Sequence, residues 1–286
     1  MRTPVCDLLE IDVPVIQAAI GGVTCPELAA AVSNAGGLGT IGMAGRGADG
    51  ARNTIERTRE LSNRSFAVNF ILDFDCEKEL ATSLEAGVSL VSLFWGDPTP
   101  LVARIHEHGA KVMMSIGSVE EAKRAADAGV DVVVAQGWEA GGHVRGNTAT
   151  LALVPRVVDA VSPLPVVAAG GIADGRGLAA VLALGAQAAW IGTRFLAATE
   201  ADAHPEYRKR IFGAEASDTY YSALFDVGWP GAPGRVIRNS TVEAWEQAGK
   251  PSKERRPGLT DLLAATPDGE QARRYEAMTA RSDFDG

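Results

Sequence analysis

Eight short apolar runs, each followed by a stretch rich in Ala, Glu and Arg, constrain this chain more than any other feature. They are "VPVIQ" (13–17), "GGLGTI" (36–41), "FAVNF" (66–70), "LVSLF" (90–94), "KVMMSI" (111–116), "DVVVAQ" (131–136), "LPVVAA" (164–169) and "AAWIG" (188–192). The runs are apolar throughout rather than alternating, so both strand faces are covered, as in a parallel sheet layered with helices. The stretches between carry helix punctuation. Pro26 stands near a helix start with Gly36 past its end. Ser118 precedes Glu121 in a capping box that Gly129 terminates, and Asp174 is placed to cap the helix after it. Eight βα units fit a closed (β/α)8 TIM barrel. A doubly wound open sheet shares the alternation, but no switch point is evident. In either fold, functional groups gather at the C-terminal strand ends.

The rhythm stops after residue 198. Residues 1–198 are therefore expected to form the barrel, and residues 199–286 a smaller, mostly helical C-terminal substrate or lid region packed over its mouth. With 46% hydrophobic and 22% charged residues, a large core is expected rather than disorder. The net charge of −9, without any Lys/Arg block, argues against nucleic acid and anionic membranes as partners. Cys6, Cys25 and Cys76 lack metal-ligand spacing. The first residues lack the apolar core of a secretory leader, and no run of about 18 apolar residues occurs, so a reducing cytoplasm is the expected location.

Polar and glycine-rich motifs follow the strands. "AAGG" and "IGT" close the seventh and eighth, where barrels habitually bind phosphate, and glycine lets backbone N–H groups approach an anion. Gly170, Gly171, Gly192 and Thr193 are thus candidates for a phosphate cradle, or simply turn formers. Gln17 and the small residues after it leave room for a ring system. Asn69 could hydrogen-bond the edge of a heterocycle or cap a loop, and Ser115 and Gln136 end the fifth and sixth strands. Polar groups facing a phosphate site suit a flat phosphorylated cofactor such as FMN. "GWEAGGHVRG" (137–146) is then the loop that passes the cofactor, and its His143 is the candidate proton-exchanging residue. Glu139 could tune His143 or be a surface charge. His106 and His108 fall on a solvated helix, and His204 precedes Pro205 in a loop. A metal site and a hydrolase nucleophile elbow are not expected.

"QAAIGG", "PELAAAVSNAGGLGTIG", "AVNF", "AQGWEAGGHVRG" and "AAGGIADGRGLAAVLALGAQAAWIGTRFLAATE" together resemble the nitronate monooxygenase family, over about residues 3–250. The resemblance implies an FMN-containing TIM barrel with a smaller substrate domain, oxidising alkyl nitronates with O2 to carbonyl compounds and nitrite. It places Ile20, Asn69, Gln136, Gly141, Gly171, Gly192 and Thr193 at FMN-contacting positions and His143 at the catalytic histidine. The chain departs from the family at Ala19 and Ile20, where many members have Pro and Met, and at Ser115, where some have lysine. It also stops at Gly286, where relatives usually continue into a last barrel helix. The partners implied are a nitronate and O2, with NAD(P)H as a possible further reactant and a homodimer as a possible assembly. NAD(P)H:quinone reductases and flavin-dependent enoyl-acyl-carrier-protein reductases share the Gly-Gly-His loop, so the resemblance leaves the substrate open. A flavin-binding scaffold without turnover is the non-enzymatic alternative.

Overall fold

The computed structural model describes residues 1–265 and 271–276. Eight parallel strands form the barrel: β1 (Val15–Gln17), β2 (Gly39–Gly42), β3 (Phe66–Ile71), β4 (Leu90–Phe94), β5 (Lys111–Ile116), β6 (Val132–Gln136), β8 (Val166–Ala169) and β9 (Ala188–Ile191). β7 (Gly142–His143) lies outside it. The strands follow one another around the sheet, β1 pairing with β9 at the far end. The last seam, between β1 and β2, has a single bridge, Ile16 to Leu38. Its backbone bonds run from Gln17 N to Leu38 O (2.9 Å) and from Leu38 N to Val15 O (3.0 Å). Gln17 reinforces this thin seam. Its Nε2 donates to Thr40 O at 3.0 Å and to Ala18 O, and its Oε1 accepts from Thr40 N at 3.1 Å. The side chain is fully buried, and removing it would strand the Thr40 amide without an acceptor. Gln17, read from sequence as making room for a ring, is instead a clasp of the barrel.

Successive residues of each strand enter different layers. Val132, Val134, Val167 and Ala169 fill the barrel with Ile16, Ala67, Leu90 and Met113. Val133, Ala135, Val166 and Ala168 pack outward under the helices. Both faces are buried, which is why the sequence runs read as continuously apolar. A short helix, α1 (Pro4–Leu9), contributes Val5, Cys6 and Leu9 to the interior cluster, and Thr3 Oγ1 ties its start to Gln187 O at 2.6 Å.

The helix signals translate into observed caps. Ser118 Oγ accepts from Glu121 N at the start of α6 (Val119–Asp127), while Glu121 Oε2 accepts from Gly117 N. Asp174 accepts from Arg176 N and Gly177 N at the start of α8 (Gly175–Ala183). Beyond residue 198 the structure has helices α10 (Pro205–Gly213) and α11 (Ser240–Gln247). It also has an antiparallel hairpin, β10 (Thr219–Ser222) and β11 (Gly234–Ile237), that sequence reading did not resolve. β11 also pairs with β7, so the glycine-rich loop and the C-terminal region share one three-stranded sheet. Residues 266–270 and 277–286 of the expected lid region lie outside the described residues.

Candidate active site

Toward the C-terminal strand ends the barrel interior changes from apolar to polar. Ala67, Leu90, Met113 and Val134 lie in the interior cluster. Two residues further along each strand stand Asn69, Ser92, Ser115 and Gln136, on the same inward face by strand periodicity. Asn69 Nδ2 donates to Ser92 Oγ (3.1 Å) and Ser92 O (3.3 Å), which leaves its Oδ1 without a protein donor among the described residues. Ser115 is buried. Ser92 was missed at the sequence level, because a serine inside "LVSLF" carries no local signal.

Gln136 acts on the loop that follows it. Its Nε2 donates to His143 O at 3.0 Å, and its Oε1 accepts from Arg145 N at 3.2 Å. Both ends of the amide thus hold the backbone on either side of Val144, while one N–H and one lone pair of the amide stay unused by these two bonds.

The glycines of this loop divide by what they meet. A Cβ on Gly137 would lie 1.9 Å from Thr150 Oγ1, and one on Gly146 would lie 2.2 Å from Gly117 O. These two make room for the protein itself. Gly141 is different: its Cβ would reach 2.8 Å from Thr193 Oγ1. That contact joins the loop after β6 to the loop after β9. Gly170 (φ 102°) and Gly171 (φ 71°) turn left-handed after β8, where non-glycine residues are strained. A Cβ on Gly170 would meet Gly137 O and Thr150 Oγ1 at 3.0 Å, whereas Gly171 is exposed and meets only Glu139 Cβ at 3.5 Å. Gly192 precedes the single-turn helix α9 (Thr193–Leu196) and supplies no side-chain cap. The first amides of that turn therefore lack intrahelical acceptors. By contrast, the Asp174 carboxylate already occupies the start of α8. An incoming anion thus finds free amides beside Gly192 and Thr193, and α8 is closed to it.

Glu139 is exposed and is not among the groups that shift His143. Its carboxylate accepts from Thr150 N at 2.9 Å and from Thr150 Oγ1 at 3.1 Å, capping α7 (Thr150–Val161) from outside the helix. Ile20 packs with the cluster of Val23, Leu28, Leu196 and Ala203, and its carbonyl accepts from Val23 N and Thr24 N. Its side chain secures the first strand loop against the segment after β9.

His143 sits within an aromatic enclosure. Its ring centroid is 4.2 Å from that of Trp229 and 6.2 Å from that of Trp95, and Trp95 and Trp229 are 5.0 Å apart. Phe74 and Phe94 extend the wall around Trp229. Trp229 Nε1 donates to Asp73 Oδ2 at 3.0 Å, which anchors the C-terminal segment to the loop after β3. Burial pushes the His143 pKa below its usual value, opposed by the backbone at Ala232 and Pro233. The imidazole is therefore neutral at pH 7. Its Nδ1 is buried, and the ring lies against the Ala232 and Pro233 backbone. Arg145 lies with its guanidinium 5.3 Å over Trp95 and its Nε bonded to Glu121 Oε1 at 2.6 Å. The enclosure was not read from sequence. "LFWGD" and "VGWPG" each show a tryptophan in a turn, but 134 residues separate Trp95 from Trp229 and nothing local pairs them.

The other histidines have structural employment. His106 Nε2 contacts Asp131 Oδ2 at 2.9 Å, His108 Nδ1 meets Arg104 O at 2.9 Å, and His204 Nδ1 accepts from Glu206 N at the start of α10. Among the described residues, no group of three or more His, Cys, Asp or Glu is placed to hold a metal ion. No helix is long and apolar enough to cross a membrane.

A parallel barrel with glycine-lined loops and a single histidine at its mouth defines the class of molecule. The family model described as nitronate monooxygenase matches residues 2–85 and 75–257, and the chain belongs to that family. It is 38% identical over 281 residues to a nitronate monooxygenase of Paraburkholderia phytofirmans, covering 81% of this chain and 74% of the relative. It is 36% identical over 285 residues to the (3aS,4S,5R,7aS)-5-hydroxy-7a-methyl-1-oxo-octahydro-1H-indene-4-carboxyl-CoA dehydrogenase of Mycobacterium tuberculosis, covering 99% of this chain and 77% of the relative. Among solved structures, FabK from Thermotoga maritima superposes with a TM-score of 0.81 at 40% identity, covering 86% of this chain and 78% of that one. The protein is an oxidoreductase of a flavoprotein family.

Proposed function

We propose that the protein binds FMN at the barrel mouth and oxidises alkyl nitronates, and nitroalkanes through them, with O2 to carbonyl compounds and nitrite. The observation that carries this reading is His143: a half-buried, neutral imidazole in an aromatic enclosure of Trp95 and Trp229, on the loop that follows the sixth barrel strand. Gly171, Gly192 and Thr193 would hold the phosphate through backbone amides, with Gly141 and Gly170 admitting the loop beside it. Asn69 Oδ1 and Ser115 would face the ring. FMN, when bound, supplies the electron acceptance that no side chain offers.

The chain's own residues supply the rest. His143 in its neutral form accepts the α-proton of a nitroalkane. For a preformed nitronate no proton needs to be removed, and the imidazole N–H orients the anion instead. Trp95 and Trp229 exclude water and pack the alkyl part. The region from residue 199 onward, which brings Trp229, is the substrate-covering part.

A second reading, a nicotinamide-dependent reductase or a dehydrogenase of thioesters, is favoured by one observation. The relative that spans 99% of this chain bears the name of a carboxyl-CoA dehydrogenase. Anaerobic mixing separates the two readings. Bleaching of the flavin band near about 450 nm by a nitronate, and not by NADH or NADPH, supports the oxidation. Rapid bleaching by a nicotinamide overturns it in favour of the reductase. Chromatography of heat-released cofactor tests FMN directly, and finding FAD or no flavin would overturn the cofactor assignment.

A further inference from the structure

We propose that Arg235 is the positioning residue through which the C-terminal hairpin holds the His143 loop in place over the barrel mouth. This inference rests on His143 being the working residue of the site, as above, and adds the part that keeps it there.

β7 is only two residues long, too short to hold itself by pairing alone. Arg235 stands in register with Gly142 of β7 on one side and with Tyr221 of β10 on the other, and the adjacent pair is Gly234 with His143. Its side chain fastens two segments to β11, the loop after β6 and β10. The guanidinium carbon lies 4.4 Å from the Trp138 ring centroid and 5.6 Å from that of Tyr221. Nη2 donates to Trp138 O at 3.0 Å, and Nη1 donates to Thr219 Oγ1 at 3.1 Å. Trp138 is in turn tied back through its own N–H to Thr148 O at 2.8 Å. No carboxylate pairs with Arg235 among the described residues, so the hold comes from the flat, forked geometry rather than from charge neutralisation. Lysine cannot stack and fork in this way.

The loop is thus clasped from two directions. Gln136 grips the His143 carbonyl from β6. Arg235 grips the Trp138 end of the same loop from β11. Between them, His143 stays beneath Trp229, whose own segment leads through Ala232 and Pro233 directly into β11. The charged side chains on the surrounding elements are engaged elsewhere: Asp73 with Trp229, Glu139 with Thr150, and Arg145 with Glu121. The environment of the imidazole therefore follows how tightly the hairpin is held, and no charged partner dominates it.

The test uses holoenzyme labelled in its histidine rings, with His143→Asn to assign the His143 signal among the four. In the wild type, His143 should titrate below the unperturbed value of about 6.5. In Arg235→Gln the midpoint should rise toward that value as the ring gains water. Turnover of whichever donor bleaches the flavin should fall roughly tenfold to a hundredfold, in kcat more than in KM. Arg235→Lys should fail to restore either. Thr219→Val and Trp138→Leu each remove one hold. They should move the midpoint in the same direction by less, and they carry the test if Arg235→Gln does not fold. A folded Arg235→Gln with an unchanged His143 midpoint overturns the proposal, as would unchanged midpoints in both single-hold variants. A shifted midpoint with unchanged turnover upholds the positioning role and counts instead against His143 as the base.

Discussion

The three glycine-bearing loops at the barrel mouth, after β6, β8 and β9, look alike in sequence and differ in what their glycines permit. In the loop after β6, Gly137 and Gly146 yield space to Thr150 and to the Gly117 backbone, so the protein has already filled that space. In the loop after β8, Gly171 is exposed and left-handed, with only Glu139 Cβ nearby, and Gly192 after β9 meets only Ala18 Cβ at 3.7 Å. The first loop is built to be packed against and to present His143. In the loops after β8 and β9, Gly171 and Gly192 stay unobstructed, although Gly170 packs at 3.0 Å against Gly137 O and Thr150 Oγ1. A run of glycines is thus two different devices, told apart by what a Cβ would strike.

That contrast is sharpest at His143, the product of the packed loop. His143→Asn keeps a hydrogen-bonding amide but cannot act as a base. Nitroalkane oxidation should fall by about 10²–10⁴-fold, whereas a preformed nitronate should react far better and flavin content should hold. Equal, wild-type rates on both substrates would make the histidine structural.

Next in size is Gly137→Ala. Its Cβ cannot coexist with Thr150 Oγ1, so the start of α7 or the loop must shift, at a cost of about 3 kcal/mol or more by analogy with overpacking. Gly171→Ala, at an open position, should cost only about 1–2 kcal/mol of left-handed strain while lowering flavin content. Urea denaturation of the two apoproteins compares the costs. If Gly171→Ala were the more destabilising, the division between the loops would fail. Gly192→Val sharpens the same point: a Cβ there meets only Ala18 Cβ at 3.7 Å, so folded apoprotein is expected, and full flavin occupancy would show that the cradle lies elsewhere.

Glu139→Gln should be milder, costing about 0.5–2 kcal/mol through the weakened cap on α7, visible as a small drop in thermal midpoint with the His143 titration unmoved. A shift in that titration would restore Glu139 as a tuning group.

The smallest effect expected is in pH dependence. Burial depresses the folded-state pKa of His143, so the unfolded chain binds its proton more readily, and the stability tied to the neutral ring is lost as pH falls through the unfolded value of about 6.5. The base form persists somewhat below that pH. The acid limb of kcat/KM for nitroalkane should therefore fall at a pH under about 6.5, and a limb well above it would mean that another group is titrating.

Much of this was legible in the residues alone. The eight apolar runs became eight barrel strands because strands buried on both faces must be apolar throughout, a local requirement that leaves a local trace. Ser118 and Asp174 announced their helices for the same reason: a cap acts within three residues of itself. His143 stood out because glycines surround it. Other features depended on partners distant in sequence. Gln17 reads as part of a stretch that leaves room for a ring until Thr40 is seen across the seam. Gln136 shows its grip on the His143 carbonyl and the Arg145 amide only in the folded loop. Glu139 shows its purpose only at Thr150. The aromatic enclosure and the hairpin on β7 join segments more than 70 residues apart. Short-range hydrogen bonding and periodicity are written into neighbouring residues, whereas a side chain's partner across the barrel mouth exists only once the strands have closed and brought the loops together.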